Sequence, residues 1–242
     1  MKPVNKTIWI ILFALSMGYL ESAVVVYIRA LYYPEGFAFP LKEMAQTLAI
    51  TELFREAATL IMLVAIGVLA AREKLHRFAW FIIVFGIWDI AYYLFLKLLI
   101  SWPESLLTYD ILFLIPTIWT GPVIAPVINS LTMILLGTAI LTIRKNEKLL
   151  TRLTRWEWIL LLAGSVIVLI AYMKDFTGFV IDYKRSLPQG EISWEQFMIL
   201  LPSRFIPHSF DWLMFGTGVF MHFLAIVLIY KRHSPDKNIN IA

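Results

Sequence analysis

Six apolar stretches, each long enough or nearly so to cross the hydrocarbon core of a bilayer, limit what this chain can fold into. They are Ile8–Ala30, Thr51–Ala71, Phe78–Ile100, Pro122–Ile143, Trp156–Met173 and Asp211–Tyr230. A transmembrane helix needs about 20 apolar residues, and a water-soluble domain of this length has no interior large enough for six such runs. Composition agrees: 60% of the 242 residues are hydrophobic and 16% charged, against about 45–50% and roughly 25% in soluble domains. The runs are continuous and lack the in–out alternation of lipid-facing strands, which selects helices over a barrel. The expected fold is an all-α polytopic bundle, a single integral membrane domain over residues 1–242. Short interfacial or re-entrant segments are expected on its outer side.

The first stretch follows Lys2 and Lys6 and carries Ala14-Leu15-Ser16 at a cleavage-like spacing. Its hydrophobicity continues through Val26 to Leu31, past the core of a signal peptide, so it reads as an uncleaved span. The connections then sort by charge. Most of the 21 lysines and arginines fall at the N-terminus, between the second and third spans, between the fourth and fifth, or in the tail. Positive residues mark the cytoplasmic side, which places the chain in the cell membrane with both termini in the cytoplasm. An even span count agrees. The +4 net charge is thereby explained by topology, and no nucleic-acid partner is expected.

The opposite connections are longer and less basic. Ser105 to Gly121 is apolar but too short to span and return, so it is expected to cover the outer mouth as an interfacial or re-entrant segment. Ser193-Trp194-Glu195-Gln196 has the form of a capping box and predicts another short helix. Trp102, Trp119, Trp194 and Trp212 suit anchoring positions at the membrane interface.

Ionisable side chains inside a membrane are costly and mark function by default. At 1.5 Å rise per residue, Glu21 lies about 20 Å along the first helix, past the midpoint. Glu52, Arg55, Glu56 and Thr59 follow helical spacing and share one face at the outer end of the second helix. Asp89, Tyr92, Tyr93 and Lys97 form a similar stripe on the third. Asp211 and His222 are nearly three turns apart on the sixth, with Gly218 on the same face. The inner halves of the spans are expected to carry no strongly ionisable residue. Arg29 and Lys97 have the length to snorkel to the outer headgroups.

No cysteine is present, which excludes covalent c-type haem, iron–sulfur clusters and thiolate zinc. No phosphate-cradling glycine loop or nucleophile elbow is found. Three readings remain. The first is an enzyme acting on a lipid or lipid-linked substrate at the outer leaflet. Glu21, Glu56, Asp89 and His222 would supply acid–base chemistry, and Arg29, Arg55, Tyr93, Lys97 and Asp211 would hold the substrate. The cations would attract an anionic headgroup. A variant has Glu21, Glu56, Asp89 and His222 hold a metal. The second reading is a non-catalytic subunit or assembly factor, and the third a small proton-coupled transporter with polar residues along a through-path.

Overall fold

The computed structural model describes residues 3–145, 148–186 and 201–233. The Ser193–Gln196 helix start, with Trp194, lies outside them. Six long helices carry the fold: α1 (Pro3–Tyr32), α2 (Gln46–Ala70), α3 (Lys74–Ile100), α4 (Ile124–Thr142), α5 (Arg155–Ser186) and α6 (Trp212–His233). All six are long and apolar enough to cross a membrane, which makes the chain a multi-pass membrane protein with an all-α bundle. The fifth helix runs well past Met173, because nothing from Lys174 to Ser186 is a helix breaker except the half-buried Gly178.

Local signals fix the ends. Thr154 and Glu157 open α5 as a reciprocal cap: Glu157 Oε2 accepts the Thr154 N–H at 2.7 Å and Thr154 Oγ1 the Glu157 N–H at 3.3 Å. Ser101 closes α3 in the left-handed region (φ 56°), its N–H donating to Lys97 O at 3.1 Å.

The third helix is the hub, packing on α1, α2 and α4, while α4 and α5 both meet α6. Helices α1 and α2 lean on α3 but make no extensive contact with each other. Glycine permits the closest approaches, as expected where van der Waals packing drives association. A Cβ at Gly137 of α4 would stand 2.5 Å from Ile83 Cγ1 and 2.7 Å from Ala79 O of α3. Gly164 of α5 and Gly218 of α6 face each other's carbonyls, 2.8 and 2.6 Å from the missing Cβ atoms.

The bundle has two unlike ends. At the end holding both chain termini, Leu75, Ala79, Ile140, Leu161 and Ile229 form a tight apolar core. Ile10, Ala14, Leu63, Ala70 and Val84 form another beneath α1 and α2. At the opposite end the Ser105–Gly121 region folds into an antiparallel hairpin, β1 (Tyr109–Phe113) with β2 (Trp119–Pro122). Its register pairs Asp110 with Gly121 and Ile111 with Thr120, and it slips between Ile111 and Phe113. A second short ladder, β3 (Arg144–Lys145) with β4 (Lys148–Leu149), joins α4 to α5.

One sequence expectation is corrected at the terminal end. Glu157 lies there fully buried, 2% exposed, so that end is not free of ionisable groups. It accepts from Arg232 Nε at 3.0 Å and Nη2 at 2.9 Å while capping its own helix. This carboxylate is saturated.

Candidate functional site

The hairpin and helices α1, α2 and α3 line a partly open cavity of about 180 Å³. The first helix lends Glu21, Val25 and Arg29 to its wall. The second lends Glu52, Arg55 and Glu56, and the third Trp88, Asp89, Tyr92 and Tyr93. Asp110, Phe113 and Leu114 come from the hairpin, and Tyr33, Phe37 and Lys42 from the α1–α2 connection. The helical spacing of Glu52, Arg55 and Glu56 turns all three toward the cavity, where Arg55 meets Glu21 of α1 and Glu56 meets the hairpin.

Three polar groupings share this wall. In the first, Arg55 clamps Glu52 through Nε and Nη2 at 2.8 and 2.6 Å, and its Nη1 donates to Glu21 across the gap between α1 and α2. That fork engages all three guanidinium nitrogens. In the second, Arg29 is 8% exposed and pairs with Asp110 at 3.2 Å. Its guanidinium lies between two rings, with Cζ 4.4 Å from the Phe37 centroid and 3.8 Å from that of Trp102. Asp110 also accepts from the Tyr92 hydroxyl at 3.5 Å and from Tyr93. Burial pushes the Asp110 carboxyl up to about 6, against the pull of Arg29, of a backbone N–H and of the two tyrosines.

The third grouping differs in kind. Glu56, 7% exposed, accepts the Leu114 N–H at 2.9 Å, which ties α2 to the hairpin. Asp89 accepts the Ser130 hydroxyl of α4 at 2.7 Å. Neither carboxylate is paired with a cation among the described residues. Both line the cavity, and Glu21 lies within electrostatic range of each.

Of the residues singled out from the sequence, Glu21, Glu56, Asp89, Arg29, Arg55 and Tyr93 meet at this cavity. His222 does not. It sits between α6 and α5, its Nε2 3.2 Å from both Ser165 Oγ and Leu161 O, over the bare Cα of Gly164. Spacing on α6 identified the right face of that helix, but α5 covers the face instead of the cavity. Lys97 is also elsewhere: its Nζ donates to Ser101 O and Pro103 O at 3.2 and 2.8 Å, sealing its own helix end. Asp211 caps α6, its Oδ1 accepting the Met214 N–H at 2.9 Å and its Oδ2 pairing with Lys174 at 2.5 Å. The Lys174 contact and the Met214 N–H hold its carboxyl below the usual range.

Two further expectations are corrected. Arg29 does not snorkel outward, because Asp110 and two aromatic faces hold it inside. The metal variant also fails on geometry: among the described residues no three His, Asp or Glu side chains are placed to share one ion. Sequence reasoning passed over Asp110, Trp88 and Ser130. An aspartate inside the apolar run Asp110–Pro116 was a signal for the first, since an acid there needs a partner.

Comparison with known proteins adds no likeness: no family model matches the chain, and neither the characterised proteins nor the solved structures hold a significant match to it.

Proposed function

We propose that this protein is an integral enzyme of the cell membrane, with both termini in the cytoplasm, that performs acid–base chemistry on a lipid or lipid-linked substrate drawn from the outer leaflet. One observation carries the reading: a cavity beneath the hairpin is lined by two carboxylates, Glu56 and Asp89, whose hydrogen-bond donors are neutral. Carboxylates that serve structure are normally saturated, as Glu157 is. A carboxylate left facing a void is available to take or give a proton. The substrate's path is the seam between α1 and α2, which the Glu21–Arg55 and Lys6–Ala70 contacts bridge. The orientation follows the positive charge at the terminal end.

The transporter reading needs polar residues continuing toward the terminal end. The fully buried Ala14, Leu63 and Val84 occupy that depth instead. A non-catalytic role keeps one specific support, the Glu21–Arg55–Glu52 fork, which is what a structural clasp between helices looks like.

The test is turnover. Purified protein in nanodiscs of total membrane lipid is incubated, and the lipids are resolved by mass spectrometry. Consumption of one lipid class is expected, slowed by about 10²–10⁴-fold in Glu56→Gln and in Asp89→Asn. If no lipid is consumed by folded wild type, the catalytic reading is overturned.

A further inference from the structure

We infer that the cavity takes a lipid whose headgroup carries an ammonium beside an oxygen-rich linker, an aminophospholipid type; calling that lipid a substrate rests on the catalytic reading above, while its binding does not. The inference starts from a charge inventory. Five acids line the cavity (Glu21, Glu52, Glu56, Asp89 and Asp110), against Arg29, Arg55 and the rim residue Lys42. Arg55 is matched by Glu21 and Glu52, and Arg29 by Asp110. Fully ionised, the lining carries five negative charges against three positive; one excess charge falls on the Glu21–Arg55–Glu52 fork, and Glu56 and Asp89 are the acids with no cation partner among the described residues. Both arginines already face carboxylates, so an anionic headgroup gains little net charge attraction from them. This reverses the sequence expectation that the arginines recruit an anion.

A cation meets the opposite situation. An ammonium that donates to Glu56 or to Asp89 meets a carboxylate that otherwise has one neutral donor. Trp88, Tyr92 and Phe113 present aromatic surface around the same space. A bare metal ion suits it poorly, because no three carboxylates or histidines among the described residues converge. An organic cation with apolar bulk fits the mixed lining.

Two unpartnered donors point independently to a ligand. Arg29, with a side chain 9% exposed, lines the cavity with its Nη1 lacking an acceptor, and Trp88, 6% exposed, does the same with its Nε1. Buried donors without acceptors are rare in native proteins. Both atoms are occluded, so a phosphodiester or ester oxygen next to the ammonium satisfies them once the Arg29 and Trp88 side chains turn toward the cavity. The ligand therefore needs both halves: a cation for Glu56 and Asp89 and an acceptor for the orphaned donors.

The experiment measures binding in maltoside micelles by intrinsic tryptophan fluorescence. The probes are dioctanoyl phosphatidylethanolamine, dioctanoyl phosphatidylglycerol and free phosphoethanolamine. The ethanolamine lipid is expected to bind at least about tenfold more tightly than the glycerol lipid, a difference of about 1.4 kcal/mol. Binding of free phosphoethanolamine as tight as the lipid would assign the site to a soluble amine, overturning the lipid claim. Equal or tighter binding of the glycerol lipid overturns the charge inference, and this comparison uses wild type alone, so it survives any folding defect. Glu56→Gln and Asp89→Asn, each checked for a monodisperse elution profile, are expected to erase the preference. A preference that persists in both places the ammonium elsewhere and sinks the assignment. Selective binding with no turnover retires the enzyme and keeps this inference; turnover of an anionic lipid does the reverse.

Discussion

Glu157 and Glu56 are both buried glutamates on apolar helices, yet they sit in opposite surroundings. Glu157 lies at the terminal end, where two nitrogens of Arg232 and the Thr154 N–H fill its acceptor capacity and Leu161 and its neighbours pack beside it. Glu56 lies at the hairpin end with one backbone donor and a void alongside. The same side chain is a rivet in one place and a free hand in the other. Burial alone therefore does not identify a working residue in this molecule; burial with unused acceptor capacity beside a cavity does.

The largest expected effect separates the two. Glu56→Gln and Asp89→Asn lower turnover by about 10²–10⁴-fold while the melting temperature stays within a few degrees, because each keeps a hydrogen-bonding side chain of the same shape. Glu157→Gln does the reverse. It leaves turnover per folded molecule unchanged and costs about 1–3 kcal/mol, since Arg232 loses its counter-charge. A Glu157 variant that folds well but loses activity would erase the distinction between the ends.

Next comes the buried pair over the cavity. Arg29→Met leaves Asp110 inside with only tyrosine and backbone donors, and removal of one partner of a buried pair costs about 3–5 kcal/mol. Arg29→Met combined with Asp110→Asn removes the charge as well and should recover most of that loss, a coupling measurable by denaturation of all four forms in micelles. Additive losses would mean that the two residues are independent and that the hairpin is held by its strands alone.

How much of this contrast was legible beforehand depends on what each signal encodes. Hydropathy encodes span length, so all six helices and the polytopic class could be read from the sequence. Helical periodicity encodes which residues share a face, so Glu52, Arg55 and Glu56 emerged as one group and Asp89 with Tyr92 and Tyr93 as another. Periodicity says nothing about which neighbour covers a face. For that reason His222, correctly placed in line with Gly218, proved to face Gly164 and Ser165. Asp110 escaped because it belongs to a hairpin, where no 3.6-residue rhythm exposes it and its partner is 81 positions away. Lys97 was misjudged for a simpler reason: a lysine at a helix C-terminus can satisfy that helix's own carbonyls.

Glycine substitutions sharpen the comparison at a smaller scale. Gly137→Ala forces a methyl against Ile83 and the Ala79 carbonyl, and the α3–α4 contact should lose about 1–3 kcal/mol. Gly216→Ala on α6, with nothing within 4 Å of the added carbon, should instead gain about 0.5–1 kcal/mol from helix propensity. Equal effects at the two positions would contradict the packing assigned to the terminal end.

The smallest effect concerns pH and the hairpin end alone. Burial raises the folded Asp110 carboxyl to about 6, from an ordinary value of 3.8. The folded chain therefore holds this proton more tightly than the unfolded chain does, and the group favours folding at low pH. Its contribution is complete below about pH 4 and is lost as pH rises through about 6. Relative to Asp110→Asn, wild type should lose stability across that window, on the order of 1 kcal/mol, read as a steeper fall of the melting temperature between pH 4 and 6.5. A wild-type profile that rises with pH over this range, parallel to that of the asparagine variant, would show that Arg29 outweighs burial at Asp110 and that the lid over the cavity is an ordinary ion pair.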